Sequence, residues 1–590
     1  MEVFVATDGN DDAAGTMEAP LRTLSGALRF LNRQYSQEPA TVWLRGGVYQ
    51  LEQTFIITEY DYQHITFSSW PGEEAIITGA QAVNGWLPEE HFGQTIWKIR
   101  YDGRPIRALY GEDGARRLSR WPKEGFLQAA APYKQTDSKF DKQMALYINP
   151  GDVPEDLRGA SLRLLHLWKD EITGVRRYAP ANGQLELNRP MSMTVEKGDR
   201  YFLENVLSVP LEAGEWAFDQ ENGYIYYAPM QGETIWKTPL YAGVLQHLVF
   251  IYNASDITFE NITFRRNNWE IPWNDQGTDF PQAAYDAAAA ILLYESEDIR
   301  FTRCTFQDIG ATCIRVDYAT TGVIVTESLF KDIGAHAFYV HGDNTTNESV
   351  MTQDIVFENN HVDHYGMNLY NAAAVLIIHA RNASIAHNEI HGGTYTAISA
   401  GWVWGAAYNV TDNIRVSNNL IYNVGQRVLS DMGAIYLLGR QPNTVVSGNV
   451  IHDISAADYG GWGIYLDEGS SGILVTNNLV YRCTAQGFHQ HMGTGNVVRN
   501  NIFALNHEGQ VGISGKGDFV LESNLLVGGK PYLQINEGGI IKQRKNIQRT
   551  DSAMFVDADM ENFALREDPV FAENGFVPWV HMAGRYQVLD

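Results

Sequence analysis

A pattern of eight residues constrains this chain more than any other feature. It reads apolar-x-apolar-x-x-Asn-x-apolar in its fullest form. It recurs at Ile257–Phe264, Ile299–Phe306, Val323–Phe330, Ile355–Val362, Ile414–Ile421, Ile473–Val480 and Phe519–Leu526, with weaker copies at Ala383–Ile390, Thr444–Ile451 and Asn496–Phe503. The closing apolar residues recur every 23 to 42 positions. Apolar residues two apart give a strand with one buried face. Short strands, Gly turns and loops of variable length at this period predict a parallel β-helix. A leucine-rich repeat is excluded, because its L-x-x-L-x-L signature and its helices are both missing. Stacking also answers the length, since 590 residues exceed what one ordinary core accommodates.

The sixth position is Asn in seven successive copies: Asn360, Asn388, Asn419, Asn449, Asn478, Asn501 and Asn524. Coils stack about 4.8 Å apart, so these amides are spaced to bond to one another and to turn backbone as a ladder. A side chain repeated in every coil serves the scaffold and not a ligand.

The expected organisation is all-β. Residues 1–85 form a cap and the first coils, with a short amphipathic helix from about Leu24 to Asn32 covering the open end. Residues 86–246 carry more charge and Pro and longer hairpin-like strands, such as Glu215–Asp219 and Tyr224–Tyr227, and read as an inserted β-sandwich-like domain. Residues 247–540 form the main β-helix, and residues 541–590 an extension packed on it.

One strand of each coil precedes the Asn turn, and aligning these strands gives two outward columns, because residues i and i+2 share a face. The pairs are Arg315 and Asp317, Tyr339 and His341, Ile377 and His379, Ser399 and Gly401, Tyr436 and Leu438, Tyr465 and Asp467, His489 and His491, and Ser514 and Lys516. Trp402 and Trp404 lie in a loop alongside. A merely solvated face carries Lys, Glu, Thr and Ser. Imidazole, phenol and indole are groups that hold and stack on sugars. The face is therefore expected to be a carbohydrate groove holding Tyr436, Tyr465, Asp467, His489 and His491, with His341, His379, Asp317, Trp402 and Trp404 lining it.

Asp467 is the sharpest candidate for chemistry, a carboxylate at a strand-to-turn edge with Gly469 behind it. A second carboxylate is needed for most glycoside hydrolysis. Asp431, in the preceding coil, would lie on the opposite face of a continuous strand, so a bend at Gly433 or a loop 425–433 folding over the groove is required to join the two. Glu468 and Asp317 are the fallback partners. His489 and His491 are expected to bind substrate and orient Asp467. Catalysis is expected to need no metal and no cofactor.

Composition removes other classes. A formal charge of −26 argues against nucleic acid and anionic membrane as partners. Cys304, Cys313 and Cys483 form no disulfide framework and are expected to be reduced core residues. No apolar run reaches membrane-spanning length and no leader pattern is visible, so a cytoplasmic location is expected unless a leader has been removed. Oligomeric state is not legible.

Three motifs, Ser430-Asp431-Met432-Gly433-Ala434-Ile435-Tyr436, Gly463-Ile464-Tyr465-Leu466-Asp467-Glu468-Gly469 and Phe488-His489-Gln490-His491, resemble those of the right-handed β-helix enzymes of glycoside hydrolase family 141. Asp8-Gly9-Asn10-Asp11, with Gly15-Thr16 and Pro20, and Tyr201–Leu207 are also similar, so the likeness spans nearly the whole chain. The resemblance implies a right-handed parallel β-helix, puts the catalytic acids on Asp431 and Asp467, and suggests α-L-fucosidase or xylanase activity. A second similar group, the β-xylosidases of family 120, also pairs a carboxylate couple with an inserted β-sandwich. The leading expectation is thus an exo-acting α-L-fucosidase-like hydrolase of plant-type oligo- or polysaccharides, with xylanase or β-xylosidase as the alternative. A polysaccharide lyase would need a basic residue against its uronate, and the groove coils offer only Arg315 and Lys516 at their ends. A non-catalytic carbohydrate-binding scaffold would need no carboxylates at a turn edge.

Overall fold

Period-two apolar segments, three to a coil, stack into three long parallel sheets of 14, 12 and 13 strands in this computed structural model. It describes residues 1–34, 38–135, 138, 140, 142–270, 282–529 and 531–586. The first sheet runs from Glu2–Val5 to Ile540–Arg544, the second from Phe55–Thr58 to Leu533–Ile535, and the third from Gly47–Gln50 to Ile547–Arg549. Inward residues form one continuous core along the axis. Part of it is two aromatic columns: Phe67, Phe259 and Phe301 stack at 5.2 and 5.3 Å, and Phe264, Phe306 and Phe330 at 5.1 and 4.8 Å. These spacings approach the strand repeat of about 4.8 Å, so ring stacking and backbone pairing favour the same register.

The amphipathic segment forms a helix at Leu24–Asn32, capped by Thr23, whose side chain accepts from Gly26 N–H. Its apolar face, Leu24, Ala27, Leu28 and Leu31, closes the first coil. The Asn ladder is continuous. Asn388, Asn419, Asn449, Asn478 and Asn501 each donate Nδ2–H to the next Asn Oδ1 at 2.9 to 3.0 Å. Each of these Oδ1 atoms also accepts the backbone N–H of the Asn before it. Asn546 extends the column by one coil beyond the pattern visible in the sequence.

Between the third and fourth coils the chain makes a long excursion. Ile65–Ser69 pairs directly with Ser255–Glu260, and Ala75–Thr78 with Ile262–Arg265, so the sheets run on as if nothing intervened. The excursion, from Ala80 to Gly243, builds two largely antiparallel sheets with their own apolar clusters. Glu215–Asp219 and Tyr224–Tyr227 form a hairpin in it. Another hairpin, Ser161–His166 with Lys169–Ala179, returns to the solenoid. There buried Arg163 holds Asp170 through two bonds of 2.9 and 2.6 Å and lies 4.0 Å over the Tyr370 ring, while Asp170 accepts Tyr370 N–H at 2.8 Å. At the other end, Phe555, Phe563, Phe571 and Phe576 pack on the outer face of the third sheet against Leu479, Tyr481, Ile502 and Leu525. Cys304, Cys313 and Cys483 are buried free thiols.

Two alignments of the outward columns need correction. Tyr339 pairs with Leu376 and His341 with Ile378, so Ile377 points into the core and His379 stands one residue beyond its assigned place. His379 adopts φ 55, a left-handed turn conformation that ends the strand. Likewise His489 pairs with Gly512 and His491 with Ser514, which removes Lys516 from the columns. In both coils the strand begins one or two residues away from where spacing alone puts it.

Candidate active site

The outward face of the second sheet carries a second, smaller cluster. Ile435, Leu437, Ile464 and Leu466 enter the core, while Tyr436, Leu438 and Tyr465 pack outside it with Trp402, Trp462, Tyr339, Leu376 and Ile378. Overlying loops cover this layer, so Tyr436, Tyr465, Asp467 and His489 are buried, more so than an open groove implies.

Asp467 is the best-coordinated side chain on the face. Oδ1 accepts from the Tyr465 hydroxyl at 2.9 Å and lies 3.0 Å from His491 Nδ1; Oδ2 accepts from the Tyr436 hydroxyl at 2.5 Å. Burial opposes ionisation, but the bonds from His491, Tyr436 and Tyr465 and from the Glu468 backbone N–H outweigh it and hold the carboxyl below its ordinary range. The same contact makes His491 more basic than a free imidazole. Tyr436 and Tyr465 thus spend their hydroxyls on the carboxylate.

Asp431 reaches the same place from a loop. It precedes the strand Gly433–Leu437, adopts φ 52, and is fixed through its backbone: its N–H donates to Tyr459 O at 3.0 Å and its carbonyl accepts from the Tyr395 hydroxyl at 3.1 Å. Of the two routes the sequence left open, the chain takes the loop. The hydroxyls of Tyr459 and Tyr465 lie near its carboxyl and favour its charged form, but do not offset burial. Some Asp431 surface stays open to the groove, yet dense packing, then the negative charge of Asp467, pushes the carboxyl up to about 7. Tyr465 stands beside both acids and gives its one hydroxyl proton to Asp467. Two neighbouring carboxyls are therefore tuned in opposite directions, one ionised and one holding its proton near neutrality.

The loop that carries Asp431 is held by the excursion. Ser430 N–H donates to Leu167 O at 2.6 Å at the tip of the returning hairpin. Arg200 donates to Arg427 O at 3.2 Å and also to Val428 O. On the other side, Trp402 is buried and donates to Ser399 Oγ at 3.1 Å, while Trp404 is half exposed with its ring edge-on at 5.7 Å. The loop 402–412 rests on the turn after Asp467, where a Cβ on Gly469 would collide with Gly405 O. It is tied to the loop 343–352 by Asn344, which donates to Tyr408 O at 3.0 Å and accepts Val410 N–H at 2.9 Å. The sequence also marks a long loop at 266–290 as able, with these two, to wall off one end of the groove; its residues 271–281 lie outside the described residues.

The remaining expected site residues divide. Glu468 is half-buried at the groove edge beside the pair. His489 lies buried on the outward face beside Tyr465: it bonds Ser514 Oγ at 2.9 Å and Gln486 Oε1 at 3.2 Å, stacks on Trp462 at 4.6 Å, and is pushed by burial down to about 3, hence neutral. Asp317 is engaged by Arg315 Nε at 2.8 Å, and His341 lies 3.3 Å from the same guanidinium, several coils from the carboxyl pair. His379 is pushed by burial, and by His341 beside it, down to about 4. Tyr395, Tyr459 and Trp462 were not anticipated. Trp462 lies over Tyr465 at 4.3 Å and donates to Gln486 Oε1 at 2.7 Å. All three stand in turns or at strand entries, where the two-residue period gives no direction.

A family model for a right-handed β-helix region matches residues 244–378, 289–423 and 351–530. A solved structure described as a glycoside hydrolase superposes with a TM-score of 0.70 at 21% identity, over 93% of this chain and 96% of that one. The structure of XylC with xylose does so with a TM-score of 0.53 at 13% identity, over 93% and 86%. Among curated proteins, pectate lyase PEL9 of Emericella nidulans is 32% identical over 82 residues; the match spans 14% of this chain and 19% of that protein's length. The fold is thus a right-handed parallel β-helix, of a kind shared with glycoside hydrolases.

Proposed function

We propose that this chain is a glycoside hydrolase in which Asp431 is the general acid and Asp467 the ionised partner. The observation that carries the reading is the opposite tuning of two adjacent carboxyls, Asp431 up to about 7 and Asp467 below its ordinary range. A protonated Asp431 donates to the glycosidic oxygen as the bond to the anomeric carbon breaks. Asp467 places negative charge against the oxocarbenium-like carbon, acting as nucleophile or as base toward water. Tyr436, Tyr465 and His491 keep it ionised and aimed, and Trp404 offers a ring face to a sugar. The ionised Asp467 also repels a uronate carboxylate, which speaks against elimination chemistry despite the short similarity to a pectate lyase.

The substrate class follows from the resemblance of the motifs: α-L-fucosides first, with exo action. Xylosides come second, supported by the xylose bound in XylC. The test is a panel of aryl glycosides and xylan, read for chromophore and reducing-end release, alongside acidic polysaccharides read for unsaturated products. Release from a neutral glycoside supports the reading; unsaturated products alone overturn it. On an active substrate, kcat/KM should be bell-shaped. Its basic limb falls near pH 7, as Asp431 loses its proton, and its acidic limb lies below the ordinary carboxylate range, where Asp467 gains one.

A further inference from the structure

Away from the carboxyl pair, the outward face of the third sheet holds an unusual juxtaposition. His361 and Asp363 stand on one coil, and Glu389 and His391 directly beside them on the next. The Nε2 atoms of His361 and His391 lie 3.0 Å apart, and with a Glu389 carboxylate oxygen they fall within 4.8 Å of one another. We propose that these three side chains form a zinc site that staples the two coils together.

Three features of the surroundings support this. Two imidazole nitrogens on one tetrahedral zinc, each about 2.0–2.1 Å from it, stand about 3.3 Å apart, close to the spacing seen. His391 Nδ1 faces Asp363 Oδ1 across 3.4 Å, with His364 Nδ1 also 2.6 Å from that oxygen, while His391 Nε2 faces His361. This is the carboxylate–histidine arrangement that orients metal-bound imidazoles. Glu389 is oriented in turn: Tyr422, one coil further on, donates its hydroxyl to Oε1 at 2.9 Å. The Tyr422 ring also stacks on His391 at 4.7 Å, which fixes the imidazole plane. All three ligands are partly buried. Two imidazoles and one carboxylate suit a borderline cation, whereas calcium and magnesium take oxygen donors.

The test uses the whole chain, stripped by a chelator, then titrated with Co2+ and back-titrated with Zn2+. One Co2+ per chain with the visible absorption of a tetrahedral site, displaced by Zn2+, is expected, together with a zinc-dependent rise in Tm. His361→Gln and His391→Gln should each lose the absorption and the rise. Glu389→Gln, which keeps the shape of the side chain, should weaken both and serves if a His variant misfolds. Absence of stoichiometric binding, or binding unchanged in all three variants, overturns the proposal. Because the site lies on another sheet, this outcome does not depend on whether the chain is a hydrolase.

Discussion

The Asn ladder and the carboxyl pair are both rows of polar side chains held away from water across successive coils, and they are built on opposite principles. In the ladder every donor meets an acceptor, supplied by an identical neighbour or by the backbone: Asn449 bonds Asn478, receives Asn419, and donates to Val416 O. In the pair one member is satisfied and the other is not. Asp467 has its donors, whereas Asp431 is left with a charge its surroundings resist. Full satisfaction yields a scaffold; arranged dissatisfaction yields an acid that keeps its proton at neutral pH.

The sharpest way to break this contrast is to exchange the acids for amides. Asp467→Asn and Asp431→Asn should each lower kcat by roughly 10²–10⁴-fold, with Tm changed by only a few degrees. Glu468→Gln should stay active. Near-normal kcat in Asp467→Asn would remove the mechanism proposed here. Next in size, Asn449→Ala strands the Asn419 N–H and the Val416 carbonyl in the core, at roughly 1–3 kcal/mol for each unsatisfied group. Tm should fall strongly while kcat, measured well below the transition, stays unchanged; a parallel loss of kcat would mean that ladder and site are not separable.

The ladder and the stacked strands were legible because repetition writes them many times, so an error in one copy is corrected by the next. The site was legible only in part. Asp467 sits at the end of a regular strand, and the two-residue period aims it outward. Asp431, Tyr395 and Tyr459 are placed by turns, and the left-handed φ of Asp431 is invisible to any period. His489 shares parity with the outward column, yet its ring lies under Trp462, since parity gives a face and not a depth. The slip at Ile377 and His379 has the same origin, a strand end displaced by one residue.

A subtler effect concerns what holds the Asp431 loop. Arg200→Ala removes the bonds to Arg427 O and Val428 O without touching either acid. We expect kcat to fall by up to about 10²-fold, what a misplacement of about 1 Å can cost, with the basic limb of the pH profile moving down as water reaches Asp431. A fall in Tm with an unmoved limb would make Arg200 a purely structural residue. The smallest effect is on stability. Because its pKa is raised by folding, Asp431 contributes stability at low pH that is lost as pH rises through about 7. Asp431→Asn should therefore have a higher Tm than the parent at pH 8 and a smaller advantage at pH 5, as thermal melts at the two values will show.

The direct pairing of Ile65–Ser69 with Ser255–Glu260 has a consequence for synthesis. When the first three coils leave the ribosome, the strand they must pair with has not been made; Ser255 follows Gln63, its hydrogen-bond partner, by 192 residues. At about 5–20 residues per second, that edge waits roughly 10–40 s for its neighbour. Over this interval the nascent chain presents an unpaired parallel edge, the kind of surface that recruits other chains. The length of the excursion thus sets how long that edge stays open.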